Sequence, residues 1–173
     1  KIGLGLSLAV MSGSGIIIAH EFGHRNNAWE RTLAKILLAS VSYMHFIIEH
    51  NLGHHTRVAT SEDPSSARQG ENFYAFWLRS VGGSYRSAWR LELARLRHKG
   101  YSAWGWRNQM LWFTLIPFAI AAACYFFIGL YALIFFTAQS FFAFSMLELI
   151  NYIEHYGLER KKTANGEYEP VSV

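Results

Sequence analysis

The sequence is short of cysteine, of charge and of any nucleotide-binding signature. Cysteine occurs once, as Cys124, inside an apolar run. That excludes a disulfide framework and any cysteine-built zinc or iron–sulfur site. Charged residues make up 16% of the chain, against roughly 25% in an average soluble domain. Over residues 108–147 there is no Lys, Arg, Asp, Glu or His in forty consecutive positions. No glycine-rich flavin or dinucleotide fingerprint is present, so electrons for any redox chemistry must come from another molecule.

What is present is apolar and histidine-rich. The 173 residues are 51% hydrophobic and 16% aromatic, enough for one domain. A membrane-crossing helix takes about 20 apolar residues, so residues 108–147 fit a tight hairpin of two spans at about 110–128 and 131–150, turning at Gly129. A third candidate span is 2–19. It reads as a span rather than as a signal peptide, because the apolar run enters His20 and His24 with no small-residue cleavage site or polar break. The chain begins with Lys1 rather than Met, which points to a fragment or a processed product.

Charge placement sets the expected topology. Of 16 Lys and Arg residues, 12 lie between Arg25 and Arg107, and Arg160, Lys161 and Lys162 follow the last span. The positive-inside rule places 20–107 and 151–173 in the cytoplasm. The apolar stretch 36–48 is too short to cross and is read as an interfacial or buried helix on the same side. The basic, Trp-rich stretch 80–107 alternates Arg86, Arg90, Arg97 and Lys99 with Trp89, Leu91, Leu93 and Leu96 at helical spacing. It reads as an amphipathic helix on the anionic leaflet with Trp104 and Trp106 as anchors, or as a docking surface for an acidic electron carrier. Nucleic acid is not an expected partner beside membrane spans.

Six of the eight histidines fall where they can bind metal. His20, Glu21 and His24 form H-E-x-x-H, two imidazoles one turn apart on a helix face. His50 and His54 repeat that spacing, with His55 adjacent and able to reach a second metal. His155 stands at the cytoplasmic end of the last span. His45 and His98 lie outside the clusters and are read as structural. H-E-x-x-H is the zinc-protease pattern, but a catalytic zinc takes three protein ligands and water. Six imidazoles with few carboxylates suit two iron ions better, because iron accepts nitrogen ligands and keeps positions open for oxygen.

The segments "HEFGHR", "EHNLGHHTRVATSEDPSSARQGE" and "NYIEHYGL" resemble the histidine boxes of the bacterial membrane-bound alkane hydroxylases. These are cousins of the membrane fatty-acid desaturases and of the xylene monooxygenases. The likeness runs over essentially the whole chain, which corresponds to the middle of a longer protein. It implies an all-α integral membrane protein, here a single partial catalytic domain over 1–173, with about three spans and cytoplasmic amphipathic helices carrying the histidine boxes. It implies a non-haem di-iron centre whose ligands here are His20, His24, His50, His54, His55 and His155. A third box, of the form Q-R-H-S-D-H-H, is expected beyond Val173, so the chain alone is expected to be inactive.

The implied reaction uses O₂ to turn an n-alkane into a primary alcohol, with electrons from rubredoxin and its reductase. The implied place is the bacterial inner membrane, active site toward the cytoplasm. An alkane has no polar handle, so an apolar tunnel must aim it; Ile16, Ile17, Ala19, Leu147 and Ile150 are its candidate walls. Glu21, Glu49, Asn51, Asp63, Glu71, Asn151 and Glu154 are candidates to orient ligands, with a turn or helix-cap role as the alternative for Asp63 and Glu71. Glu148, just inside the last span, calls for a buried partner. A xylene monooxygenase, a fatty-acid hydroxylase or desaturase, and an intramembrane zinc protease are the other readings.

Overall fold

The structure is a computed structural model; it describes residues 2–25, 27–163, 165 and 167–170, with side chains from residue 13 onward. It is helical. The first helix, α1 (Ile2–Gly23), is followed by α2 (Ala28–Ser40), which starts where the Asn27 side chain accepts a hydrogen bond from the Trp29 N–H at 3.0 Å. A turn through Ser42, whose φ is +56°, separates α2 from the short α3 (Phe46–Ile48). The stretch 36–48 is therefore two helices broken by a turn, not the single helix its composition predicts.

After α3 comes one π-helical turn, Glu49–His54, and then α4 (His55–Arg57). The helix α5 (Phe73–His98) is capped by Asn72, which accepts from the Ala75 N–H at 3.0 Å. Asn108 caps α6 (Gln109–Ala123) in the same way, accepting from the Met110 N–H at 2.9 Å. A π-helical extension, Cys124–Ile128, leads to Gly129, whose φ of +113° suits a residue without Cβ. The chain reverses there into α7 (Leu130–His155). The glycine turn sits where the sequence placed it, and α7 runs five residues past the expected end of its span, carrying His155 on its last turn.

Two helical segments, Gln109–Ile128 and Leu130–His155, are long and apolar enough to cross a membrane. Their outer faces carry large exposed side chains such as Phe118, Phe126, Phe127, Ile128 and Tyr131, as lipid-facing surface does. Most of the expected span at 2–19 falls on residues whose side chains lie outside the described set; its backbone is helical.

The core forms where α1 packs along α2 and α7, with α5 against α7, α3 and the π-helical turn. Ile16, Ala19, Leu38, Tyr43, Phe46 and Leu147 are buried together there. Trp89 and Leu91 of α5 pack against this core, and Arg86, Arg90 and Arg97 stay exposed on the opposite face. The Glu148 carboxylate, 1% exposed, accepts hydrogen bonds from Tyr43 Oη at 2.7 Å and Ser80 Oγ at 2.5 Å. This is the buried partnership that its position demanded, and it ties α7 to the α2–α3 turn and to α5.

Candidate metal centre

The ends of α1 and α7 meet the π-helical turn on one side of the bundle, and the histidines converge there. In α1, His20 and His24 lie one turn apart with ring centroids 4.7 Å apart. The second cluster departs from its expected pairing. In an α-helix His50 would share a face with His54, but hydrogen bonds in a π-turn run from i to i+5. The His55 N–H donates to the His50 carbonyl, and the Nε2 atoms of these two residues stand 3.0 Å apart. His24 Nε2 is 3.2 Å from that of His50 and 3.3 Å from that of His55.

One potential ligand atom from each of His20, His24, His50 and His55 lies within 4.8 Å of all the others. Three ring nitrogens in a triangle of this size cannot satisfy one another, because a neutral imidazole has a single N–H. Nitrogens bound to one metal at about 2.0–2.1 Å are separated by about 3.0–3.3 Å, the spacing seen here. The donor set thus fits a metal ion. The protonation states agree: burial, followed by the neighbouring His20, His54, His55 and His24, pushes His50 down to about 2. Burial and then His24 lower His55 as well. Both imidazoles are neutral at pH 7, the form that binds metal.

His54 and His155 stand beside this group, their ring centroids 4.8 Å apart. Each has its Nδ1 engaged elsewhere. His54 Nδ1 meets Asp63 Oδ2 at 2.8 Å, and His155 Nδ1 donates to the Asn151 carbonyl at 2.9 Å. Both Nε2 atoms are left for a ligand, which is how ligating histidines are usually fixed. The His54–His50 centroid distance of 5.3 Å links the two sets. The six imidazoles thus fall into a group of four and a pair, an arrangement that could hold two metals.

Among the expected orienting residues only some touch a histidine. The Asp63 carboxylate is buried and also accepts from Ser66 Oγ at 2.6 Å and the Ser65 N–H at 3.1 Å. Burial pushes its pKa up, but the His54 hydrogen bond and charge and the two serine donors outweigh this and hold it below the usual range. Glu21 approaches His20 Nδ1 at 3.8 Å. Asn151 serves through its carbonyl, and Glu154 borders the cavity described below.

The other three point elsewhere. Glu49 is buried and pairs with Arg57 at 2.8 Å, with no hydrogen bond to a histidine among the described residues. Asn51 donates to the Gly23 carbonyl at 3.3 Å, fastening the turn to α1. Glu71 pairs with Arg79 at 2.6 Å and accepts from the Arg68 N–H, a local clamp at the start of α5. His45 is buried between Tyr43 and Tyr85 and held neutral, its pKa pushed by burial down to about 4. It does not join the clusters, and His98 lies exposed at the end of α5.

A cavity of about 430 Å³ opens against the histidines, bordered by His20, His50, His54, His55 and His155. Its apolar side is made by Ile17, Leu147, Ile150 and Phe46. Three of the five expected wall residues are there. Ile16 instead points into the core at 1% exposure, since neighbours on a helix face 100° apart. Ala19 lines a narrow cleft behind His20 and not the cavity. Phe46, stacked on His50 at 4.8 Å, gave no signal in the sequence, being one apolar residue among many.

Sequence comparison relates the chain to known proteins. The fatty acid desaturase family model matches residues 2–172. An alkane 1-monooxygenase of Pseudomonas putida is 44% identical over 168 residues, which cover 97% of this chain and 42% of that protein. Alkane 1-monooxygenase 1 of Pseudomonas aeruginosa is 42% identical over 170 residues, 98% of this chain and 44% of that protein. The xylene/toluene monooxygenase hydroxylase component of Pseudomonas putida is 29% identical over 156 residues, 90% of this chain and 42% of that protein. The chain spans less than half the length of these curated relatives.

Proposed function

The chain belongs to the fatty acid desaturase family, and on that premise we propose that the full-length protein is a membrane monooxygenase converting n-alkanes to primary alcohols. The observation that carries this reading is the convergence of six imidazoles, five of them bordering a cavity whose other side is apolar. His20, His24, His50 and His55 hold one iron ion, and His54 and His155 contribute to a second. When bound, these ions supply O₂ activation, with electrons delivered by rubredoxin on the cytoplasmic face. The surface cations between Arg25 and Arg107 support that orientation, in the inner membrane of a bacterium.

The chain's own residues supply placement. Ile17, Leu147 and Ile150 offer only dispersion and shape, which is all a hydrocarbon can use. Phe46 closes the cavity beside His50 and fixes that ring by stacking. Asp63 holds His54 in one tautomer, with Nε2 unprotonated toward the metal. Glu148, bonded to Tyr43 and Ser80, keeps α7 in register so that Leu147, Ile150 and His155 face the cavity together. The same reading takes α1 as a third span, which brings its histidines to the membrane surface beside those of α7.

Relatives with the same ligands and another substrate form the second reading, supported by the xylene/toluene monooxygenase likeness. Membranes containing the full-length protein, given O₂ and reduced rubredoxin, test the choice. An n-alkane should give its 1-alkanol, and oxidation of xylene or a fatty acid alone would overturn the alkane assignment. A zinc protease is disfavoured because four further histidines, His50, His54, His55 and His155, join or border the site where H-E-x-x-H needs one more ligand, and the Glu21 side chain is 65% exposed.

A further inference from the structure

A second cavity, of about 630 Å³, lies on the other side of the α1 end, between α2, the π-turn and the first residue of α6. Arg25, Arg31 and Lys35 line one wall, and Ile47, Ile48 and Leu52 line another. Lys35 is partly buried, while Arg25 and Arg31 are exposed at the mouth. The chain's partly buried Arg57, Arg79 and Arg95 each pair with a carboxylate. Among the described residues, no ion pair involves Arg25, Arg31 or Lys35. Burial and then the neighbouring Arg31 lower the pKa of Lys35. Three like charges thus line one cavity, and among the described residues that line it there is no carboxylate.

The depth of the cavity identifies its surroundings. Gln109, in its wall, is the first residue of a helical segment long enough to cross a membrane. Lys35 Nζ lies 5.8 Å from the Phe113 ring, one turn into that segment. Trp106 and Trp112, joined by a 2.8 Å hydrogen bond, are exposed at the same level, where indole rings mark a membrane–water interface. Cations over an apolar wall at headgroup depth fit a phosphodiester with the root of its acyl chains beneath.

We propose that this cavity binds the phosphate of an anionic glycerophospholipid, held between Arg31 and Lys35 with Arg25 at the rim, its chains running along Ile48 and Leu52. The inference depends on α6 crossing the membrane and not on the hydroxylation chemistry, so activity does not decide it.

The test is native mass spectrometry of the full-length protein in detergent, titrated with dioleoylphosphatidylglycerol, dioleoylphosphatidylcholine and inorganic phosphate. The wild type should bind the glycerol lipid in preference to the choline lipid. One cation near the surface is worth about five-fold in affinity for anionic lipid, so Lys35→Gln should lose about five-fold and the pair Arg31→Gln with Lys35→Gln about twenty-five-fold. The pair Arg86→Gln with Arg90→Gln, on exposed cations of α5, should bind as the wild type does. Equal loss in both pairs, or no loss in either, would overturn the site. Inorganic phosphate displacing the lipid at equal concentration would reassign it to a free anion.

Discussion

Asp63 Oδ2 lies 2.8 Å from His54 Nδ1, and both side chains are buried. A carboxylate so placed fixes the tautomer of the imidazole and raises its basicity toward a metal. Asp63→Asn keeps the size and removes the charge. Metal affinity of the full-length protein should fall about 10–100-fold, read by competition with a calibrated chelator, while the melting temperature without metal changes far less.

Gly53 lies where the Glu49 carboxylate and the Arg57 guanidinium cross the π-turn. A Cβ there would meet both Glu49 oxygens at 2.6 Å, and the Arg57 guanidinium closer still. Gly53→Ala should therefore break the buried Glu49–Arg57 pair or unwind the turn, costing about 1–3 kcal/mol as overpacking does. Chemical denaturation measures it. A loss of bound metal should accompany the loss of stability, because the same turn brings His55 to His50.

That turn also marks the limit of what the sequence discloses. His20 and His24 were legible because α1 is an ordinary helix and a spacing of four gives one face. His50 and His54 have the same spacing and a different outcome, since nothing in "EHNLGHHT" announces a π-turn. Asp63, the chain's one aspartate, was legible from the segment containing it. Glu49 was misplaced because its partner, Arg57, is chosen by the turn's geometry. Gly129 was found because only a sharp reversal explains a glycine midway through forty uncharged residues. Ile16 and Ile17 show how a rotation of one residue exchanges core for cavity.

Glu71 and Arg79 form a pair whose carboxylate is 13% exposed and whose pKa is held below its ordinary value, chiefly by the arginine hydrogen bond. A depressed folded pKa gives stability that is full above the unfolded value of about 4.3 and fades as pH falls through the folded one. Glu71→Gln should destabilise by about 1–3 kcal/mol at pH 7. The gap between wild type and variant should close below about pH 4, measured by denaturation at stepped pH.

Leu147 lies in the cavity wall one helical turn from Asn151. Leu147→Phe adds bulk to a space of about 430 Å³ and should shorten the hydrocarbon it accepts. The ratio of kcat/KM for long over short n-alkanes should drop roughly ten-fold, in line with the 1–3 kcal/mol that a misfit methylene costs. Product analysis over a homologous alkane series checks it; an unchanged ratio would remove Leu147 from the tunnel.

The most direct measurement is metal stoichiometry. Full-length protein purified from iron-replete cells is analysed by plasma mass spectrometry, with His50→Ala and His54→Ala in parallel. The account predicts two iron ions per wild-type chain and a loss of iron in each variant, because it assigns His50 to the group of four histidines and His54 to the pair. One zinc per chain, retained in His54→Ala, would contradict it and return H-E-x-x-H to its protease meaning.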